Sequence, residues 1–309
     1  MKKFNILYTL VATLLSITLL LSCAKEDDLD MSQEILGLGG DTWEKTSIDI
    51  WLDNNYLKPY NMDVKYKWDQ YELDHNRMLV PIEEDRVIPI MNVIKRTWID
   101  PYEALAGSTF IKNYSPKKFV LVGSAKYNPS NGTITLGEAE GGRKIVLYRL
   151  NWFTQSDVPL VRAIMKTVHH EFAHTLHQTI MYPTEFKFLT PEAYTSSWTN
   201  TTDAQAIQLG FVSTYARAEA SEDFVETLSF ILVYGKAWFD NRVALAQAAW
   251  DTPSLNLKYN PAEMLRQKEA FVKNYLKDIW GIELYDTDDG TIGLETRVQQ
   301  AISDVTSGL

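Results

Sequence analysis

Apolar residues recur every three or four positions between residues 157 and 180, and this period predicts a long helix from Asp157 to about Ile180. Ser156 and Asp157 can cap its start, and Pro159 fits its first turn. At about 100° per residue, one side of this helix is apolar. That side carries Val161, Ile164, Met165, Val168, Phe172 and Leu176.

The opposite side of the predicted helix carries histidines and faces away from that apolar core. Residues 169–177 hold four of the five histidines of the chain, and the motif HExxH is formed there by His170, Glu171 and His174. Residues four apart on a helix stand one above the other on the same face. Two such imidazoles can share a Zn²⁺ ion, and the glutamate can activate a water on that metal. The motif therefore predicts a zinc hydrolase.

Upstream of this helix the pattern predicts a small twisted sheet. Apolar and alternating stretches indicate strands at Val64–Trp68, Lys118–Ser124, Thr133–Leu136 and Lys144–Leu150. A helix is expected from Glu83 to Trp98. A sheet followed by the motif helix matches the upper half of a zincin, so the predicted fold class is α+β. In that fold an exposed edge strand can pair with an extended peptide substrate.

The rest of the chain reads as mostly helical. An early helix from Ile48 is expected to end before Pro59, and Tyr182–Asp203 is expected to form an irregular cleft wall. We predict one catalytic domain over residues 41–309, with the sheet and motif helix in 41–180 and a helical half in 181–309. The helices of that half are expected at Ala220–Val233, Ala237–Trp250, Pro261–Trp280 and Ile292–Val305.

Two histidine ligands require a third protein ligand, which leaves one position for water. The metzincin pattern needs a histidine six residues after the second ligand, but position 180 is Ile180, so that class is excluded. His177 lies about 10 Å along the helix from His170, too far for one metal to reach both together with His174. We therefore expect His177 to be a surface residue, or else to line the cleft or bind substrate.

Glu222 is the best candidate for the third ligand. Glu226 follows four residues later on the same face of a predicted helix, so one carboxylate can bind zinc while the other supports a ligand histidine. Acids in a first helical turn also complement the helix dipole without any metal. Glu219 and Asp223 are rival ligands.

The HExxH motif is followed by Tyr-x6-Glu-x-Phe-x-Glu over Tyr215–Glu226, and this pair of blocks resembles the gluzincins of the anthrax lethal factor type. The resemblance implies that Glu222 is the zinc ligand, that Glu226 supports a ligand histidine, and that Tyr215 assists the transition state. Val225 stands where that family usually has a small residue. From the residues alone, Tyr194 and Tyr234 remain alternatives to Tyr215.

The first 22 residues predict a secretory signal, with Lys2 and Lys3 before an apolar run from Ile6 to Leu21. The sequence Leu-Leu-Ser-Cys that ends at Cys23 resembles the bacterial lipobox, which implies lipidation of Cys23 and residues 23–40 as a flexible tether. A cleaved signal with an incidental cysteine is the alternative. Cys23 is the only cysteine, so no intrachain disulfide is possible.

An acidic cluster, Lys25-Glu26-Asp27-Asp28, follows the predicted lipid anchor and resembles the surface-export signal of Bacteroidota lipoproteins. It predicts attachment to the outer membrane facing the cell exterior, although a solvated linker would look similar. The chain as a whole resembles the substrate-import-associated zinc metallohydrolase lipoproteins of Bacteroidota. That resemblance implies a TonB-dependent import complex as a partner.

The formal net charge is −10, and removing residues 1–22 takes away two lysines and no acid, which brings it to −12. Binding to nucleic acid depends on cationic patches, so this charge argues against such a partner.

Peptide hydrolysis by zinc-activated water, with Glu171 as general base, is the function that these features predict. The substrate is expected to be a peptide or protein. An amidase acting on a non-peptide amide would use the same residues. The alternative from another class is a non-catalytic surface lipoprotein that binds substrate for import and holds structural zinc. In that case Trp152, Tyr194 and Trp198 would stack on the ligand.

Overall fold

The computed structural model describes residues 43–74, 76–129, 132, 134–140, 143–252 and 257–308. Residues Lys45–Leu309 form one unit. The predicted signal peptide, Cys23 and the tether lie outside the described residues, so they stay predictions. Within the described ranges, no helix combines the length and the apolar character that crossing a membrane requires.

The first helical segment runs past the proline that was expected to end it. Helix α1 (Ser47–Leu52) continues through a π-helical turn (Asp53–Leu57) into the short helix α2 (Lys58–Tyr60). The prediction of an end before Pro59 is wrong, because Pro59 lies within α2 and the helical segment ends after it, at Asn61, which has a left-handed conformation.

A second helical segment spans residues 84–114. Helix α3 (Glu84–Ile94) contains Pro89 and passes through a π-helical turn (Lys95–Ile99), which confirms the predicted helix. Helices α4 (Asp100–Ala106) and α5 (Ser108–Tyr114) then follow, and neither was predicted.

The main sheet has four strands in the order β1-β2-β6-β5. Strands β1 (Asp63–Lys65), β2 (Lys118–Leu121) and β6 (Lys144–Leu147) are parallel, and β5 (Gly137–Glu140) pairs antiparallel with β6. Strands β3 (Lys126–Tyr127) and β4 (Ile134–Thr135) form a separate two-stranded sheet. The predicted strands are present but shorter, and strand β3 and the edge strand β5 were missed.

Helix α6 (Val158–Thr179) carries the HExxH motif and confirms the predicted helix. The Asp157 carboxylate accepts a hydrogen bond from the Leu160 N–H at 3.0 Å and caps its start. Its predicted apolar side is buried, but its histidine side is also covered, because helix α8 (Ala220–Tyr234) packs there. The histidine side is thus turned away from the apolar side, as expected, but it lines a cleft beside α8 rather than the open surface.

Strand β5 lies directly against α6. A Cβ atom added at Gly137 would come within 2.4 Å of the Thr167 Cγ2 atom. Only glycine permits so close an approach between this edge strand and the helix, so Gly137 sets the distance between them.

The C-terminal half is helical, as predicted. Helices α9 (Lys236–Trp250), α10 (Pro261–Trp280) and α11 (Leu294–Ser307) surround α8, and α7 (Asp203–Gln208) precedes it. Gly281 ends α10 with φ 68°, a left-handed conformation that favours glycine. These elements together give the α+β fold with a small sheet, a motif helix and a helical second half.

A buried ion pair joins α8 to α10. The Lys268 ammonium lies 2.7 Å from the Asp223 carboxylate, and both side chains are fully buried. Lys268 also donates to the Gly210 carbonyl at 2.8 Å, and the Tyr194 hydroxyl donates to Asp223 at 2.9 Å. Burial raises the pKa of Asp223 to about 6, against the opposing effect of Lys268.

Replacing Lys268 by Met should lower the free energy of unfolding by about 3–5 kcal/mol, because it leaves the Asp223 carboxylate buried without its cation. Since the pKa of Asp223 is raised by burial, the carboxyl takes up a proton as the pH falls, and the deficit relative to wild type should be smaller at pH 5 than at pH 8. Urea unfolding of the metal-free proteins at both pH values measures this. The control is Lys273→Met on the exposed side of α10, which should change stability by no more than about 0.5 kcal/mol. Equal losses for the two variants would contradict the prediction.

Candidate metal centre

Three side-chain atoms from two helices lie close to one another. They are Nε2 of His170 and Nε2 of His174 on α6, and Oε2 of Glu222 in the first turn of α8. We call this set the donor triangle. Its sides are 3.2 Å between the two nitrogens, 3.1 Å from His170 to Glu222, and 3.3 Å from His174 to Glu222. Among the described residues these three form the group of histidine and acidic side chains that could hold a metal ion.

The dimensions of the donor triangle fit a zinc ion. With Zn–N bonds of 2.0–2.1 Å and tetrahedral angles, two ligand atoms lie about 3.3–3.4 Å apart. Two imidazoles and one carboxylate are also a donor set that zinc prefers, and three protein ligands leave a fourth position open.

The rival third ligands lie elsewhere. Asp223 points into the ion pair with Lys268. Glu219 is exposed and accepts a hydrogen bond from the Ser221 hydroxyl. Of the three acids, Glu222 is the one that reaches both histidines. Burial alone would raise the pKa of Glu222, but its contacts with His170 and His174 reverse that effect and hold the pKa well below its usual range.

His170 is supported from behind by Glu226. The Glu226 carboxylate lies 2.7 Å from Nδ1 of His170, pairs with Lys166, and accepts a hydrogen bond from the Ser213 hydroxyl at 2.6 Å. Although burial raises the pKa of Glu226, Lys166 and His170 outweigh it and lower that pKa to about 2. Glu226 therefore stays ionised and favours the proton of His170 on Nδ1, which leaves Nε2 free to bind a metal.

His174 is supported by another histidine. Nδ1 of His174 lies 2.8 Å from Nε2 of His177. Only 5 % of His177 is exposed, and the ring of Tyr182 packs edge-on against it at 5.5 Å. Burial and the neighbouring His174 lower the pKa of His177 to about 4, so its ring is neutral at physiological pH. The expectation of a plain surface histidine is wrong, because Tyr182 packs on the ring. His177 instead lines the cleft, which is the other position expected for it.

Glu171 lies beside the donor triangle and lines the same cleft. Burial raises its pKa, and His170 and His174 oppose this shift. A carboxylate with a raised pKa next to an open metal position is suited to accept a proton from water.

Tyr215 reaches the site from the short turn Tyr215–Arg217 before α8. Its ring stacks near that of His170, with the ring centres 5.9 Å apart, and it lines the same cleft as Glu222. Burial raises its pKa, so the hydroxyl keeps its proton and can donate it in a hydrogen bond. The two alternative tyrosines are engaged elsewhere, since Tyr194 donates to Asp223 and Tyr234 stacks on Phe230.

The cleft around these residues has a volume of about 620 Å³. Residues Gly137 and Glu138 of the edge strand β5 form part of one wall, and Trp198 lines it near Tyr215. The alternative of a binding lipoprotein also placed Trp152 and Tyr194 in the cleft, and they do not line it. Trp152 is exposed on the surface and Tyr194 is turned towards Asp223.

Comparison with known proteins shows the family of the chain. The sequence profile of the family described as "Putative zinc-binding metallo-peptidase" matches residues 41–285. The chain belongs to this family. A crystal structure of a protein from Bacteroides caccae described in the same words is similar at 32% identity and a TM-score of 0.66. The match covers 85% of this chain and 93% of that one. A search of curated proteins gave no match.

Membership of this zinc-binding metallo-peptidase family agrees with the donor set of the triangle. Three further residues around the site, Lys166, Ser213 and His177, were not predicted to support it. Of these three residues, only His177 could have been recognised from the sequence, because it stands three residues after His174 on the same helix face. Lys166 and Ser213 carry no local pattern that points to Glu226.

Proposed function

We propose that this protein is a zinc metallopeptidase of the gluzincin type, with the metal held by His170, His174 and Glu222. The observation that carries the proposal is the donor triangle with Glu171 beside it. A purely structural zinc site has no need of a free carboxylate next to the metal. Zinc analysis, combined with digestion of a peptide library by the soluble form that begins after Cys23, tests it.

When bound, zinc supplies a water of lowered pKa and polarises the carbonyl of the scissile bond. Glu171 accepts the proton of that water as the oxygen attacks the carbonyl carbon. The same carboxyl then passes the proton to the amine that leaves when the C–N bond breaks. The raised pKa of Glu171 suits it to both steps.

Tyr215 is proposed to donate a hydrogen bond to the oxygen that becomes negative in the transition state. Tyr215 lines the cleft together with Glu171 and Glu222. Replacing Tyr215 by Phe should therefore lower kcat by roughly 10²–10³-fold and leave zinc content unchanged.

Steady-state kinetics and metal analysis of the Tyr215→Phe variant measure this effect. Tyr234→Phe is the matched control, since Tyr234 packs on Phe230 outside the cleft and should keep wild-type kcat. An unchanged kcat for Tyr215→Phe would move the donor to another group.

The substrate is proposed to be a peptide in extended conformation. Within the part of the chain that the structure describes, the sheet order leaves one side of β5 without a neighbouring strand, and β5 residues line the cleft beside the donor triangle. A peptide that pairs with this edge would run through the cleft past Glu171, with main-chain hydrogen bonds for affinity and side-chain pockets for selectivity.

We also propose that the protein is tethered to the outer membrane through lipid on Cys23, faces outward, and serves a TonB-dependent import complex. The support is the N-terminal sequence and the resemblance described above. The protein should appear in the outer-membrane fraction of cells, and a Cys23→Ala variant should be absent from that fraction because it cannot be lipidated. Retention of the variant in the outer membrane would contradict the anchor.

A further inference from the structure

His177 stands in an unusual relation to the metal centre. It follows His174 by three residues on α6, so the two rings share one helix face. The contact joins Nδ1 of His174 to Nε2 of His177 at 2.8 Å, and the rings meet edge-on with centres 5.1 Å apart. His177 is buried, although it lies near the end of the helix.

The position of protons in this pair follows from the donor triangle. A neutral imidazole has one nitrogen with a proton and one with a lone pair. Because Nε2 of His174 belongs to the donor triangle, its lone pair must be there and its proton must be on Nδ1. That proton points at Nε2 of His177, which must therefore accept it and keep its own proton on Nδ1.

The ring of His177 is held from the other side by Tyr182, which in turn packs on α8. Tyr182 packs edge-on against His177, and the ring of Tyr182 stacks on that of Phe224 with centres 4.4 Å apart. Phe224 is two residues beyond Glu222. The packing that fixes His177 is thus continuous with the helix that supplies the third donor.

Plain core packing is the simpler explanation for a buried histidine, and α6 offers an example. His169 is fully buried, and its Nε2 atom lies 3.2 Å from the Thr97 carbonyl, on a different face from the donor triangle. His177 differs because its ring nitrogen is directed at a nitrogen of a member of the triangle. Packing alone does not require a nitrogen at that place.

We propose that His177 is a positioning residue of the metal centre, which fixes the orientation and tautomer of His174 by accepting its Nδ1 proton. It does for His174 what Glu226 does for His170. The two supports differ in charge, since Glu226 is a carboxylate and His177 is a ring. The inference rests on the proposed function, because it assigns His174 to zinc.

The test compares two replacements of His177. His177→Phe keeps a flat ring and removes the acceptor, whereas His177→Gln keeps an oxygen that can accept the proton. Loss of such a support typically costs about 10–100-fold in metal affinity. Zinc affinity measured by competition with a chelator should fall by that factor for His177→Phe and recover most of the loss in His177→Gln. Gln178→Ala, the exposed neighbour, should bind zinc as wild type does.

Thermal unfolding of the zinc-free variants separates this effect from a general loss of packing. The inference requires His177→Phe to bind zinc weakly even when its zinc-free fold is as stable as that of wild type. Zinc affinity within twofold of wild type for His177→Phe, or an equal loss for His177→Gln, would overturn it.

A measurement on the wild-type protein keeps the inference testable even when the variants fold poorly. Nitrogen NMR of the imidazoles in the zinc-loaded protein should show His177 with Nδ1 protonated and Nε2 bare. A proton on Nε2 of His177 would overturn the inference. If the wild type binds no zinc, the proposed function fails. If it binds zinc and His177→Phe binds it equally well, the positioning role alone fails.

Discussion

Glu171→Gln is expected to keep zinc and lose peptide hydrolysis. The amide is nearly the same size as the carboxylate but cannot accept the proton of the attacking water or return it to the leaving amine. General base catalysis accelerates a reaction by roughly 10²–10⁴-fold. We therefore expect kcat to fall by a factor of this size or more. The donor triangle does not include Glu171, so its three atoms remain in place.

The measurement is a digest of a peptide library by the wild type and the variant, read by mass spectrometry, with zinc content determined on the same samples. Glu219→Gln makes the same chemical change on an exposed acid of the same cleft and should keep most of the turnover. Full activity of Glu171→Gln would remove its role as base. A wild type that binds zinc and cleaves no peptide would favour an amide substrate of another kind or a binding role.

Glu222→Ala is expected to lower zinc affinity more than any other single replacement on α8. It removes one corner of the donor triangle and leaves two nitrogens from one helix. Loss of a supporting group such as Glu226 costs about 10–100-fold, and loss of a direct ligand should exceed about 100-fold.

Competition with a chelator measures this loss, and Glu226→Gln should give the intermediate value. Glu219→Ala is the matched control, because Glu219 lies three residues earlier and makes no contact with the triangle. A larger loss for Glu219→Ala than for Glu222→Ala would reassign the third ligand.

The parts of the fold that sequence patterns predicted well are long and periodic. Helix α10 has the predicted bounds Pro261–Trp280, because Pro261 suits a first turn and Gly281 a left-handed end. Helix α6 (Val158–Thr179) also agrees closely with its predicted bounds. The edge strand β5 was missed because its sequence, Gly-Glu-Ala-Glu, has no apolar run. A strand with one free side needs few apolar residues, and its course is set by pairing with β6.

Some residues of the candidate site can be predicted from the sequence and others cannot. HExxH is visible because its spacing is that of one helix face, and Glu222 stands out by its spacing from Glu226. The periodicity of a helix does not show which other elements pack on each of its faces. The prediction of His177 as a surface residue failed for this reason, because Tyr182, which lies outside the helix, packs on its ring. The contacts of Glu226 with Lys166 and Ser213 depend on how α6, α8 and the preceding loop meet.

The donor triangle joins residues 48 positions apart in the chain, His174 and Glu222. The unfolded chain holds no such arrangement, so a zinc ion there acts as a removable cross-link between two helices. A ligand present at a hundred times its Kd adds about 2.7 kcal/mol to the free energy of unfolding. The resistance of this protein to heat and to proteases should therefore follow the supply of metal in its surroundings, and zinc starvation would shorten its lifetime as well as silence its site.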